Sequence, residues 1–205
     1  MIILSSLYLA PVAYYAALFH ADKALIEVHD SYRKQSYRNR CVIAGANGPL
    51  SLSIPVEKSE KGKSRMKDIR IAEHGDWQHL HWNAIVSAYN STPFFQYFEE
   101  DFRPFYEKKF TFLHDFNEQL RQLICKSLSM ETPVEYTPEF IREPGYKTID
   151  LRESIDPKKP SGVEILPYYQ VFAEKLGFIP HLSIIDLLFN LGNETRLYLI
   201  NQMHK

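Results

Sequence analysis

The sequence predicts an α/β protein: an N-terminal βαβ unit plus hairpin in a mixed sheet, with a predominantly helical C-terminal half. Three patterns predict it. A strand-like, a helix-like and a second strand-like run follow one another within the first thirty residues. Two β-patterned runs then flank Asn47-Gly48. From about Gly75 onward, apolar residues recur mainly at helical spacing.

Ile2-Ile3-Leu4-Ser5-Ser6-Leu7 reads as a short buried strand. Pro11 suits a first helical turn, where its missing N–H costs nothing, and Val12, Tyr15, Ala16 and Phe19 mark the helical face. Asp22 precedes a second strand, Ala24-Leu25-Ile26-Glu27-Val28, and a strand–helix–strand order this short implies a parallel pair. Cys41-Val42-Ile43-Ala44 and Leu50 to Val56 form the hairpin, with Leu50, Leu52, Ile54 and Val56 on one face. Glu57 to Asp68 is rich in Lys and reads as a mobile loop, either a lid over phosphate or a solvated segment. Ile69-Arg70-Ile71 is a short strand by pattern, and Trp77 to Ala88 is helical. Pro93 and Pro104 punctuate the next stretch, and Phe112 to Leu128 carries the clearest amphipathic helix. Val134-Glu135-Tyr136 returns to the sheet, and residues 142–167 read as a long loop. Three short helices close the chain, one ending before Gly177, one over Ser183 to Asn190, and one from about Asn193. Residues 1–205 are expected to form one domain, with 1–72 its sheet-rich half and 73–205 its mainly helical half.

Composition narrows the function. Of 205 residues 45% are hydrophobic, enough for a sizeable core, and the net charge of −1 excludes a polyelectrolyte that coats nucleic acid. Any hold on an anion must therefore be local. Thirteen Tyr and thirteen Phe exceed what such a core requires, so some rings are candidates for lining a pocket. Cys41 and Cys125 match no metal-ligand spacing and read as thiols of a reducing compartment. The apolar run from Ile2 to Phe19 has no preceding cation and is broken by Ser, Tyr and Pro, so it reads as buried strand and helix. The expected location is cytoplasmic, with no membrane span.

The chemistry concentrates in Tyr32-Arg33-Lys34-Gln35-Ser36-Tyr37-Arg38-Asn39-Arg40, just beyond the second strand. Ligands of parallel units gather past the carboxyl ends of strands. Arg38 and Arg40 alternate by two, so on an extended segment they share a side and form a candidate phosphate clamp. The alternative is a pair of bridges to Glu27 and Asp30. Lys34 joins as a point charge, Tyr32 offers a ring, and Asn39 and Tyr8 are placed to orient the ligand. His81 is the candidate general acid/base, or else a packed histidine; its spacing from His79 argues against a zinc pair. Asp30 either moves a proton, meets a magnesium ion carried by a nucleotide, or neutralises an arginine. Ser183 and Asp186 fit a helix-start capping box.

These residues, taken in order, resemble the WbqC-like protein family. The matching pieces are Tyr8-Leu9-Ala10-Pro11 with Tyr15, Asp22, Asp30, the Tyr32 to Gln35 and Tyr37 to Arg40 runs, and Leu52 to Val56. His81-Trp82, Tyr89 with Pro93-Phe94-Phe95, and Ser183 to Asn190 complete them. The resemblance implies a bacterial protein tied to surface-polysaccharide (O-antigen or capsule-type) gene sets, and no particular reaction. Ala10 stands where many members have proline, and His29 where a second acid is common, which weakens a two-acid metal role. The combined expectation is a transferase acting on a phosphorylated or nucleotide-linked sugar. His81 and Asp30 would be catalytic, and Tyr8, Tyr32, Lys34, Arg38, Asn39 and Arg40 would bind substrate. The alternative is a non-catalytic ligand-binding or interaction partner in the same pathway.

Overall fold

The computed structural model describes residues 1–58, 64–159 and 163–202. Strand β1 (Ile2–Ser5) runs into helix α1 (Val12–Phe19) and back along β2 (Ala24–Glu27), paired parallel from Ile2↔Ala24 to Ser5↔Glu27. All four residues of β1 are buried, which is why its apolar run does not alternate. Pro11 is the N-cap rather than the first helical residue, one position from expectation. Two further strands complete the sheet. β5 (Val134–Tyr136) pairs with β2 and β6 (Ile149–Asp150) with β1, both parallel, giving the order β5-β2-β1-β6. All four carboxyl ends therefore lie along one edge.

The hairpin pairs β3 (Arg40–Gly45) with β4 (Gly48–Ser53) antiparallel as a separate sheet, so Ala46 and Asn47 alone make the connection. Gly48 has φ +125°, a region open chiefly to glycine. The expected strand at Ile69-Arg70-Ile71 is instead two isolated bridges, Val56↔Ile71 and Arg70↔Phe112. The lysines Lys61 and Lys63 of the expected lid lie outside the described residues. The loop's end is not loose. Met66–Asp68 forms a single 3-10 turn with Met66 buried, and backbone bonds Tyr32 N to Ser64 O and Met66 N to Asp30 O fasten it.

The helical half holds α2 (Trp77–Tyr89), α3 (Phe95–Glu107) and α4 (Leu113–Ser127), then α5 (Ala173–Leu176), α6 (Ile184–Leu191) and α7 (Glu194–Asn201). α3 has no counterpart among the elements expected from sequence, because Pro104 sits inside it. A proline costs a helix interior about 3 kcal/mol. Phe95, Phe98, Phe102 and Tyr106 are all buried along this helix, and each large apolar side chain contributes about 1.5–3 kcal/mol. Burial outweighs the break. One contiguous hydrophobic core runs from Ile2 to Leu199 through both halves of the chain.

The turn after α6 allows little change. Gly192 has φ +54°, and a Cβ there would lie 2.5 Å from the Phe94 ring. Gly192→Ala should therefore cost about 2 kcal/mol or more, through strain and overpacking together. Urea unfolding of the variant checks this; an unchanged midpoint would show that Phe94 can move aside.

Candidate functional site

The carboxyl edge of the parallel sheet is built around a buried carboxylate. Glu27, the last residue of β2, has 0% exposure and accepts from four donors. These are His29 N (2.9 Å), Thr137 Oγ1 (2.9 Å), Ile141 N (3.0 Å) and Arg152 Nη1 (3.2 Å). Arg152 balances its charge, forks onto Asp150 at 2.9 and 2.6 Å, and lies 5.4 Å from the Phe140 ring centroid. Those hydrogen bonds hold the Asp150 carboxyl below its usual range. Glu27 thereby ties together the ends of β2, β5 and β6.

A second ion pair lies beside the first. Arg38 Nη2 donates to Asp30 Oδ2 and, at 3.0 Å, to Ser5 Oγ at the end of β1. Arg38 is 2% exposed and Asp30 8%. Burial raises the Asp30 pKa, and the Arg38 charge opposes that rise. Asp30 Oδ1, Arg38 Nε and the neighbouring Ser6 Oγ are buried without a hydrogen-bond partner.

Above these pairs opens a pocket of about 450 Å³ lined by His29, Asp30, Ser31, Arg65, Pro138, Glu139 and Phe140. Its volume falls in the range of small-molecule sites, and its place past the strand ends is where parallel sheets bind ligands. The backbone ties at Ser64 and Met66 hold Arg65 at the rim, and the exposed Arg65 side chain makes no ion pair among the described residues. His29 Nε2 lies 3.1 Å from the Thr137 carbonyl oxygen. A carbonyl only accepts, so Nε2 carries the proton and the lone pair of the neutral ring sits on Nδ1.

The residues expected from sequence do not assemble as expected. Asp30 is in the pocket wall. The Arg38–Arg40 clamp is not formed: Arg38 is buried against Asp30, while Arg40 Nε donates to Ser53 Oγ on the hairpin surface at 3.0 Å. The alternation fails because extended pairing begins only at Arg40. Asn39 donates through Nδ2 to Ile54 O at 2.8 Å, stitching the hairpin base, and Lys34 is exposed outside the pocket lining. The Tyr32 hydroxyl feels both Arg38 and Arg40, though its burial raises its pKa.

Tyr8 and His81 turn inward. Tyr8 is fully buried, its hydroxyl 3.0 Å from both His81 Nδ1 and Tyr106 Oη. His81 packs edge-on against Trp77, and burial lowers its pKa to about 4. Such a ring is neutral and sealed from the pocket, which is the packed-histidine alternative. Asp186 is likewise no capping-box partner: Ser183 Oγ accepts from Ile185 N. The Asp186 carboxylate points into the core, where Tyr89 (3.0 Å), Tyr168 (2.7 Å) and Gln170 (3.1 Å) donate to it.

Sequence reasoning gives Arg65 only as one cation of the basic loop that could close over phosphate, and it misses Glu139, Phe140 and the Glu27–Arg152 bond. It places His29 with Asp30 at the carboxyl end of the second strand, where an acid is common, but gives it no role. The neighbouring Asp30 and the place of His29 at a strand end are the available signal. Among the described residues no group of three or more His, Cys, Asp or Glu is arranged to hold a metal ion. No described helix is long and apolar enough to cross a membrane.

The model of the WbqC-like protein family matches residues 6–158, a span that includes every residue lining this pocket. The chain is also similar to the uncharacterised protein Rv1507c of Mycobacterium tuberculosis (strain ATCC 25618 / H37Rv). The two are 26% identical over 223 residues, covering 96% of each chain. No solved structure matches the chain.

Proposed function

The chain belongs to the WbqC-like protein family, and on that basis we propose that it is a group-transfer enzyme acting on a phosphorylated or nucleotide-linked sugar in bacterial surface-polysaccharide synthesis. The observation that carries this reading is the pocket at the carboxyl edge, where a guanidinium with no ion pair among the described residues, one aromatic ring and two carboxylates meet. Arg65 suits a phosphate, forking two N–H donors onto its oxygens. Phe140, with Arg152 stacked against it, offers an apolar face to a sugar ring. Glu139 supplies acceptors for sugar hydroxyls, while Asp30, held by Arg38, forms the charged wall behind them. The pathway rests on the family resemblance and the substrate class on the pocket's chemistry.

Thermal unfolding against inorganic phosphate, sugar phosphates and nucleoside diphosphate sugars, with and without magnesium, tests the reading. A ligand at about a hundred times its dissociation constant stabilises by about 2.7 kcal/mol, which for a chain of this size raises Tm by about 5–10 °C. Arg65→Ala should lose the shift and Arg40→Ala should keep it. Should no phosphorylated compound move the wild-type Tm, the sugar-phosphate reading is wrong.

A further inference from the structure

We propose that His29 is the proton-accepting group of this pocket and that Glu27 positions it. This rests on reading the pocket as a group-transfer site. His29 is the histidine among the lining residues, half-buried at the end of β2. Its ring is fixed by the Thr137 carbonyl at Nε2, which leaves Nδ1 with no hydrogen bond among the described residues. Its backbone is fixed too, because His29 N donates to Glu27 Oε1 at 2.9 Å. The same Glu27 oxygen accepts from Thr137 Oγ1 at 2.9 Å, so one carboxylate sets both the backbone of His29 and the strand end that orients its ring. A fully buried carboxylate with four donors is costly to desolvate, and here it holds one histidine in one tautomer.

In the transfer, the hydroxyl oxygen of an acceptor alcohol bonds to the sugar carbon as its proton passes to His29 Nδ1. The bond from that carbon to the phosphate oxygen breaks, and its electron pair leaves on the phosphate held at Arg65. The proton on His29 then returns to solvent. The charged groups around the ring are Glu27, Asp30, Arg65, Glu139 and, behind Glu27, Arg152. General-base catalysis of this kind contributes about 10²–10⁴-fold.

The test follows release of nucleoside diphosphate from nucleoside diphosphate sugars, with water as acceptor, between about pH 5 and 9. Wild type should lose rate on the acid side as one group protonates. His29→Gln should lower kcat about 100-fold or more and abolish that acid limb, while the Tm shift given by inorganic phosphate survives. Thr137→Val and Glu27→Gln should lower kcat less and move the acid limb, an effect that a merely structural defect would not produce. Ring-nitrogen NMR should show His29 as the Nε2–H tautomer, its signal identified by its loss in His29→Gln. If His29→Gln keeps both kcat and the acid limb while Arg65→Ala loses the phosphate shift, the histidine is misassigned and the pocket stands. Absence of any phosphate shift overturns the pocket and the histidine together. Ligand shifts without turnover of any donor overturn the catalytic role and leave a binding protein.

Discussion

Arg38→Met should destabilise the fold by about 3–5 kcal/mol, the cost of stranding one member of a buried ion pair. Arg40→Met should change stability by no more than about 0.5 kcal/mol. The two arginines are two residues apart and chemically identical, so the contrast isolates environment. Arg38 spans Asp30 and Ser5, and both partners of the pair are almost wholly inaccessible. Removing its guanidinium leaves the Asp30 carboxylate buried with no counter-charge. Arg40 holds one hydroxyl at the surface, where water replaces it. A second variant separates ion pairing from simple loss of volume. Arg38→Met with Asp30→Leu should recover much of the lost stability, because an apolar pair of similar size avoids the desolvation of two charges. Urea unfolding reads all four proteins. If Arg38→Met costs less than about 1 kcal/mol and also abolishes phosphate binding, the side chain is available to ligands after all, and the clamp expected from sequence is restored.

That contrast shows where the sequence is legible. The βαβ unit, the hairpin, β5 and the helices α2, α4, α5, α6 and α7 follow from apolar spacing and turn residues, which are local signals. α3 is hidden by Pro104, whose local penalty is overcome by four buried rings that periodicity alone cannot weigh. β6 is hidden because it has two residues, one of them Ile149 at 61% exposure, and because β1, to which it pairs, lies almost 150 positions away in sequence. The site is obscured in the same way. The basic run stands out in the sequence, and its position past β2 is right, yet spacing cannot show that Asp30 claims Arg38. Arg65, Glu139 and Phe140 come from loop segments far from β2 in sequence, and only tertiary structure brings them to His29. Composition says that an anion site must be local. It cannot say which cation remains un-neutralised.

Between pH 6 and pH 4, Asp186→Asn should make the fold about 2 kcal/mol more acid-sensitive than wild type, and His81→Gln should make it less so by a similar amount. The two groups work against each other. Burial lowers the His81 pKa from 6.5 to about 4, so in this window the unfolded chain takes up a proton that the folded one refuses. Stability from that ring is complete above pH 6.5 and is lost as pH falls toward 4. Burial raises the Asp186 pKa from 3.8 to about 6, with the hydrogen bonds from Tyr168, Tyr89 and Gln170 pulling the other way. Here the folded state takes up the proton first, so its contribution is complete below pH 3.8 and is lost as pH rises through 6. Moving a pKa by one corresponds to about 1.4 kcal/mol, and two displacements of similar size and opposite sign nearly cancel in wild type. Carboxylates elsewhere titrate in every variant and drop out when variant is subtracted from wild type. Asparagine at 186 removes the compensating group and leaves the cost of His81 uncovered. Glutamine at 81 can still bond the Tyr8 hydroxyl while carrying no titratable proton. Denaturant unfolding at pH 6, 5 and 4 therefore yields two difference curves of opposite slope. A flat His81→Gln curve would mean that His81 is reached by solvent in the folded protein, and that same result would return it to the groups able to act on a ligand.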